Sequence, residues 1–267
     1  MRRGSLVRVV AIGVLVGLAA WAVAIFIPWL PEQASEEGER IDFVFWFVTA
    51  ICIVIFAVVA AVSIYSVVKF RVRPDDDSDG PPIHGHTGLE IAWTAIPAVL
   101  VTAIAAVSAV ALAKNDSLPS DRLVVEVTGR QFAWTFAYPP QERARSVSEQ
   151  RLCNLPPDQA NCPVSGTLRL PRGTSVELRL RALDVIHSFS VPEFRQKQDA
   201  IPTRPDEVTK LKITPTKTGE YPVACYELCG IGHALMRTKA LVLEPGEFNR
   251  WLTAERGRLT PSEGQGS

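Results

Sequence analysis

The chain has 267 residues, 47% of them apolar, and its 28 Lys and Arg balance 28 Asp and Glu to a formal net charge of zero. That length allows one or two domains, and a chain without a basic excess is not expected to take nucleic acid as a partner. The average hides one bias: the apolar residues are crowded into the first half.

Val9 to Ile27, Phe43 to Val68 and Ile91 to Ala113 contain no charged side chain, and each reaches the ~20 residues needed to cross hydrocarbon. Burying three such runs in a globular protein would take a larger apolar remainder than this chain has, so a membrane protein with a soluble C-terminal half is predicted. Residues 1–27 carry Arg2, Arg3 and Arg8 ahead of the first run and Ala22-Val-Ala24 near its end. They read either as a signal peptide or as a first transmembrane anchor. Residues 28–42 form an external segment with five acids against Arg40 alone. The span 43–68 ends on Lys69-Phe-Arg71-Val-Arg73, and a basic cluster there marks the cytoplasmic side. Residues 69–90 are then a cytoplasmic loop, in which Asp75, Asp76, Asp77 and Asp79 weigh little. The span 91–113 returns outward, residues 114–258 are extracytoplasmic, and 259–267 read as a disordered tail.

The inner loop holds His84-Gly-His86-Thr-Gly-Leu-Glu90-Ile-Ala-Trp93-Thr-Ala-Ile-Pro97. On residues alone Glu90 is either a solvated charge at a helix start or a group facing a partner or a water path. Beyond Ala113 the pattern alternates, as in Leu123 to Thr128, Val176 to Ala182 and Val208 to Ile213, which predicts short strands with one buried face, in a sandwich or barrel. Gly129-Arg-Gln-Phe132-Ala-Trp134-Thr-Phe136-Ala-Tyr138 reads as an aromatic strand with a packed face. Pro139 to Thr167 lacks periodicity, so it is a functional loop or an insertion. Its Cys153 and Cys162 have no His or Met beside them, and a disulfide is the plain reading in an external domain. Cys52 reads as a packed thiol within its span. Pro245 to Arg256 reads as a terminal helix.

Cys225-Tyr-Glu227-Leu-Cys229-Gly-Ile-Gly-His233-Ala-Leu-Met236 brings two thiols, an imidazole and a thioether into one short run. Cysteine and methionine favour copper, and imidazole suits copper as well as zinc, whereas hard cations want oxygen. Zinc sites seldom recruit methionine, and no second Cys or His pair follows. A Cys225–Cys229 disulfide would leave His233 and Met236 without a purpose. Upstream, Asp184-Val-Ile-His187-Ser-Phe-Ser-Val-Pro192 offers one more imidazole.

The run from Cys225 to Met236 resembles the C-x-E-x-C-G-x-x-H-x-x-M motif of the binuclear copper A centre in subunit II of cytochrome c oxidases, with every fixed position present. The segment around His187 is similar to the one carrying that family's upstream histidine. The 84–97 run resembles its H-G-N-x-x-L-E-x-x-W-T-x-I-P signature, with His86 in place of Asn. The resemblance implies a membrane-anchored all-β protein, with N-terminal transmembrane helices followed by a cupredoxin-like Greek-key β-barrel. It implies two copper ions bridged by Cys225 and Cys229, with His187, His233, Met236 and the Glu227 carbonyl as the other ligands. The Glu227 side chain would bind magnesium at the boundary with the catalytic subunit, and Glu90 would mark the entrance of a proton path. The family's G-x-Q-W-x-W-x-Y segment carries the tryptophan through which electrons arrive. Phe132 replaces it here, so the route runs through Phe132 or Trp134. Lys197, Asp199, Pro202 and Arg204 resemble the family's K-x-D-x-x-P-G-R run, with Thr203 in place of glycine.

The implied function is that of an electron relay. Cytochrome c or another small donor would reduce this subunit, which passes electrons to a haem-bearing catalytic subunit that reduces dioxygen and pumps protons. Other oxidase subunits and membrane lipid complete its partners, and its place is a bacterial-type inner membrane with the C-terminal domain periplasmic. A copper A subunit of a nitric oxide reductase is an alternative of the same chemistry. A membrane-anchored copper chaperone is one of a different class. Quinol oxidases keep the fold without the copper ligands, which are all present here.

Overall fold

The computed structural model describes residues 3–71, 82, 84–146, 153, 161–202 and 207–259. Three long helices come first: α1 (Arg3–Phe26), α2 (Glu36–Lys69) and α3 (Thr87–Asp116), each long and apolar enough to cross a bilayer. Two compact units result, Met1–Leu30 with Asp42–Ala111, and Pro31–Ile41 with Leu112–Ser267. In the first unit Gly13 and Gly17 of α1 lie against Ala57 and Ala61 of α2, where an added Cβ would meet an alanine Cβ at 3.4 Å. Small residues let helix backbones approach closely in hydrocarbon. Most large apolar side chains on these helices are exposed, a surface that requires lipid or protein cover. Arg73 and Asp75, Asp76, Asp77 and Asp79 lie outside the described residues, as does the tail from Thr260.

Among the described residues ten strands follow: β1 (Leu123–Arg130), β2 (Ala133–Ala137), β3 (Val164–Ser165), β4 (Leu168–Pro171), β5 (Val176–Ala182), β6 (His187–Val191), β7 (Gln196–Ala200), β8 (Thr209–Ile213), β9 (Gly219–Cys225) and β10 (Arg237–Leu243). They pair as two sheets, β3-β2-β1-β5-β8 and β4-β10-β9-β6-β7, antiparallel except for β1 with β5 and β4 with β10. Inward residues of both sheets share one core, in which Phe189 stands edge-on to Trp134 and Phe136 at centroid distances of 5.6 and 6.2 Å. A closed barrel was the expectation. Among the described residues the ladders instead run out at β3 and β8 in one sheet and at β4 and β7 in the other, so the strands form two open sheets around a common core.

The aromatic stretch 129–138 is not one strand either. β1 ends at Arg130 and β2 starts at Ala133, with Arg130 paired to Ala133 across a turn of Gln131 and Phe132. The 139–167 stretch contributes a short helix, α4 (Gln141–Ser146), and the edge strand β3. The Gln141 amide accepts from Val124 N at 2.7 Å and donates to Val124 O at 3.1 Å, while Arg179 donates to Ala144 O at 2.7 Å. Cys153 and Cys162 are joined and buried against Ala137. Helix α5 (Pro245–Leu259) lays Phe248 and Trp251 against Tyr138.

Of the segment 28–42, expected to be external, residues 31–41 are part of the β unit. Ala34 N donates to Glu193 O and Thr216 N to Ala34 O, both at 2.9 Å, and Ala34 itself sits in the core. Glu36, Glu37 and Glu39 then open α2, where negative charge suits the helix start. Glu37 is fully buried: its carboxylate accepts from Thr214 N at 2.7 Å and Thr214 Oγ1 at 3.1 Å and pairs with Lys212 at 3.4 Å. Lys212 also donates to Lys114 O, at the end of α3, at 3.3 Å.

Removing the acid from this clamp strands one charge and two donors. Glu37→Ala is expected to destabilise the chain by about 3 kcal/mol, the low end for a broken buried pair because Lys212 still reaches solvent. Glu37→Gln, which keeps an acceptor for Thr214, should lose less. Thermal unfolding in detergent, followed by near-ultraviolet circular dichroism, checks both; an alanine variant that melts with the wild type refutes the clamp.

Candidate metal centre

Antiparallel pairing of β6 with β9 sets Phe189 opposite Cys225. The first residue of β6, His187, therefore stands beside the last residue of β9, Cys225. β9 and β10 are neighbours as well, with Ala224 opposite Arg237. The connection 226–236 is closed at its neck by Cys225 N donating to Met236 O at 3.1 Å. Two loops, 183–186 and 226–236, thus open at one end of the second sheet. Tyr226 N joins them by donating to Ser188 O at 2.8 Å.

The donors converge there. Cys225 Sγ lies 3.9 Å from Cys229 Sγ and 3.9 Å from His187 Nδ1. Cys229 Sγ lies 3.6 Å from His233 Nδ1 and 3.9 Å from Met236 Sδ. The Cys225 thiol also reaches the Glu227 carbonyl at 3.2 Å, while the Glu227 side chain is exposed. Ligand atoms of His187, Cys225 and Cys229 all fall within 4.8 Å of one another. A sulfur–sulfur bond is close to 2 Å, so the two cysteines are unbonded. Both are buried, as are His187 and Met236; His233 is half-buried. Two thiols, two imidazoles and a thioether without a carboxylate oxygen among them fit a soft cation.

Burial pushes the Cys229 thiol up to about 11, with the neighbouring Cys225 thiol as the next cause. The Cys229 thiol stays protonated near neutrality, and a cation binding there would have to displace its proton.

Two supports of this cluster were missed in the sequence reading. The Asp184 carboxylate accepts from His187 Nε2 at 2.8 Å, Val185 N at 2.7 Å and Gln131 N at 2.6 Å. Burial pushes its pKa up, but the hydrogen bonds from Gln131, His187 and Val185 outweigh that and hold it below the ordinary carboxylate value. Gln131 sends its side-chain Nε2 to Cys229 O at 2.5 Å. The acid three residues before His187 was the available signal, since histidine ligands usually donate their other nitrogen to a carboxylate.

Phe132 is half-buried over the cysteine loop and Trp134 is buried, edge-on to the His187 ring at 5.9 Å. Gly230 adopts φ +132°, a conformation that favours glycine. Around the cluster Leu183, Ile186, Leu228, Ile231 and Leu235 are exposed. Asp199 accepts from Ser188 Oγ at 2.7 Å; Lys197 precedes it on β7, Pro202 is described, and Thr203 and Arg204 lie outside the described residues. Glu90 stands at the start of α3, exposed, where its carboxylate accepts from His86 N at 3.2 Å and His86 Nδ1 accepts from Leu89 N at 3.2 Å. Cys52, expected to be packed, is exposed on α2.

Comparison with known proteins matches residues 123–243 to the family described as cytochrome c oxidase subunit II, periplasmic domain, and residues 20–110 to its transmembrane domain. Cytochrome c oxidase subunit 2 of Thermostichus vulcanus is 34% identical, over 90% of this chain and 82% of that protein. A probable cytochrome c oxidase subunit 2 of Rickettsia bellii is 33% identical, over 90% of this chain and 91% of its own length. Among solved structures, the periplasmic domain of subunit II of cytochrome oxidase from Bradyrhizobium japonicum is 28% identical and covers 54% of this chain and 100% of its own, with a TM-score of 0.41.

The closest packing in the cysteine loop is testable. A Cβ at Gly232 would sit 2.4 Å from Phe132 Cδ2, so Gly232→Ala forces ring and loop apart, at about 1–3 kcal/mol for an overpacked site. Adding Phe132→Ala should remove most of that loss. Denaturant unfolding of the two single variants and the double variant measures it; additive losses would mean that the two residues do not touch.

Proposed function

This chain belongs to the cytochrome c oxidase subunit II family, and from that premise we propose that its periplasmic domain holds two copper ions. His187, Cys225, Cys229, His233, Met236 and the Glu227 carbonyl would hold them. The chain is the electron-relay subunit of a haem-copper terminal oxidase, an oxidoreductase complex of the inner membrane, and it associates with the catalytic subunit. The observation that carries the copper reading is the convergence of His187 Nδ1 with the two cysteine sulfurs, flanked by His233 and Met236.

Bound copper supplies one-electron exchange. The chain supplies a buried frame: His187 and Cys225 stand at the ends of β6 and β9, and β9 and β10 anchor both ends of the loop that carries Cys229, His233 and Met236. The common core of two sheets supports a cupredoxin-like reading of the domain. We place the membrane crossings at 43–68 and 91–113, with 69–90 on the cytoplasmic side. Glu90, exposed at the start of α3, is suited to the entrance of a proton path. Glu227 presents its carboxylate outward, where it can take magnesium at the boundary with the catalytic subunit, whose haem completes the route.

A cytochrome c or a similar small carrier is the proposed donor. The exposed apolar rim supports docking by apolar contact, with Phe132 over the cysteine loop as the first ring on the way in. From Lys114 onward there are 21 Lys and Arg against 18 Asp and Glu, a net of +3, so the domain as a whole offers no acidic field to a basic carrier.

Reconstitution tests the centre. The full chain in detergent, stripped of metal and reloaded, is expected to take two copper ions and to give a seven-line paramagnetic resonance pattern from an electron shared between them. One copper per chain with a four-line signal overturns the reading. In the assembled oxidase, oxidation of a strongly basic soluble cytochrome c should be slow and nearly indifferent to salt between ~10 and ~200 mM, where the screening length falls from ~30 Å to under 10 Å. Fast transfer that collapses with added salt would reveal an acidic docking patch.

A further inference from the structure

We propose that Asp184 is a positioning residue of the metal centre: it holds His187 in the tautomer that turns a bare Nδ1 toward the thiols, and it couples that imidazole to the cysteine loop through Gln131. The inference rests on the copper reading above. A neutral imidazole has one donor nitrogen and one acceptor, and an ionised carboxylate only accepts. With Nε2 at 2.8 Å from Asp184 Oδ1, the proton belongs on Nε2, and Nδ1, 3.9 Å from Cys225 Sγ, keeps its lone pair. That is the nitrogen a cation between the thiols would use.

The carboxylate is itself held. Val185 N donates to Oδ1 and Gln131 N to Oδ2, so two backbone groups fix the acid before the imidazole meets it. The ring has little freedom of its own: a Cβ on Gly129 would come within 3.0 Å of His187 Cδ2, and Trp134 flanks the ring. From Gln131 the side-chain amide continues to Cys229 O. A chain of hydrogen bonds therefore runs from His187 through Asp184 and Gln131 to the backbone of Cys229, joining the two donor loops without passing through a metal. Partners of this kind typically contribute about 10–100-fold in metal affinity.

The test uses the full chain in detergent with ¹⁵N-labelled histidine. The chain has four histidines, and the His187 signals are identified by their loss in His187→Gln. In the metal-free wild type, His187 should carry its proton on Nε2. Asp184→Asn should preserve that, because the amide oxygen still accepts from Nε2, and Asp184→Ala should give a mixture of tautomers. Competition with a copper chelator should then show affinity about 10–100-fold weaker for the alanine variant and a smaller loss for the asparagine variant, which keeps the acceptor for Nε2 but not the one for Gln131 N. A proton on Nδ1 in the metal-free wild type, or an alanine variant with unchanged tautomer and affinity, overturns the proposal. Should the alanine variant not fold, the wild-type and asparagine spectra decide it, and a proton on Nδ1 in either is the refuting result. A wild type that takes up no copper defeats the copper reading, while the metal-free spectra still judge Asp184 separately.

Discussion

The register between Phe189 and Cys225 decides where the soft donors of this chain can stand. Side chains alternate across a strand, so a slip of one residue would turn Cys225 to the opposite face and carry His187 out of reach. Tyr226 N, donating to Ser188 O, holds that register beside the sulfurs, and the core holds it further in. Phe189 is wedged between Trp134 and Phe136 of the facing sheet, and Val223, two residues before Cys225, is buried in the same cluster. The apolar packing of two sheets thus places a polar cluster at their rim.

Thiols and thioether tolerate burial as small polarizable groups, which lets a set of metal donors sit in the interior without the penalty that buried carboxylates would bring. A soft cation held there would balance the charge of thiolates formed in a place with little water. Asp184, at the margin, supplies a fixed negative group on the far side of His187, and it remains partly exposed.

What was legible in the sequence was local. The donors from Cys225 to Met236 lie within one loop, so their spacing alone declares a cluster, and the spans declare themselves by apolar runs that no helix of a small soluble domain needs. The strands β1, β5 and β8 were legible for the same reason, but the single buried face expected of them was not found in β1 and β5, whose residues are buried on both faces. What could not be read depends on chain neighbours far apart. Nothing in the spacing distinguishes Glu37, buried against Thr214 at a separation of 177 residues, from the exposed Glu36 beside it. The aromatic run 129–138 reads as one strand because its turn is made by a hydrogen bond from Gln131 to Asp184, 53 residues away. Whether two sheets close into a barrel is likewise a matter of edge pairing, which periodicity does not encode.

The strap formed by residues 31–41 means that the periplasmic fold is not contiguous in the chain. Ala34 fills part of its core and Ser35 bridges to Pro215, yet both are synthesised ahead of two membrane spans and of every strand they meet. A soluble version excised at residue 114 would leave Thr214 N, Thr216 N and the Glu193 carbonyl without the groups that satisfy them, along an open sheet margin prone to self-association. A faithful water-soluble form would need the strap grafted back across the gap. In the cell, the domain can complete itself only after α2 and α3 have both been threaded and their outer ends brought together.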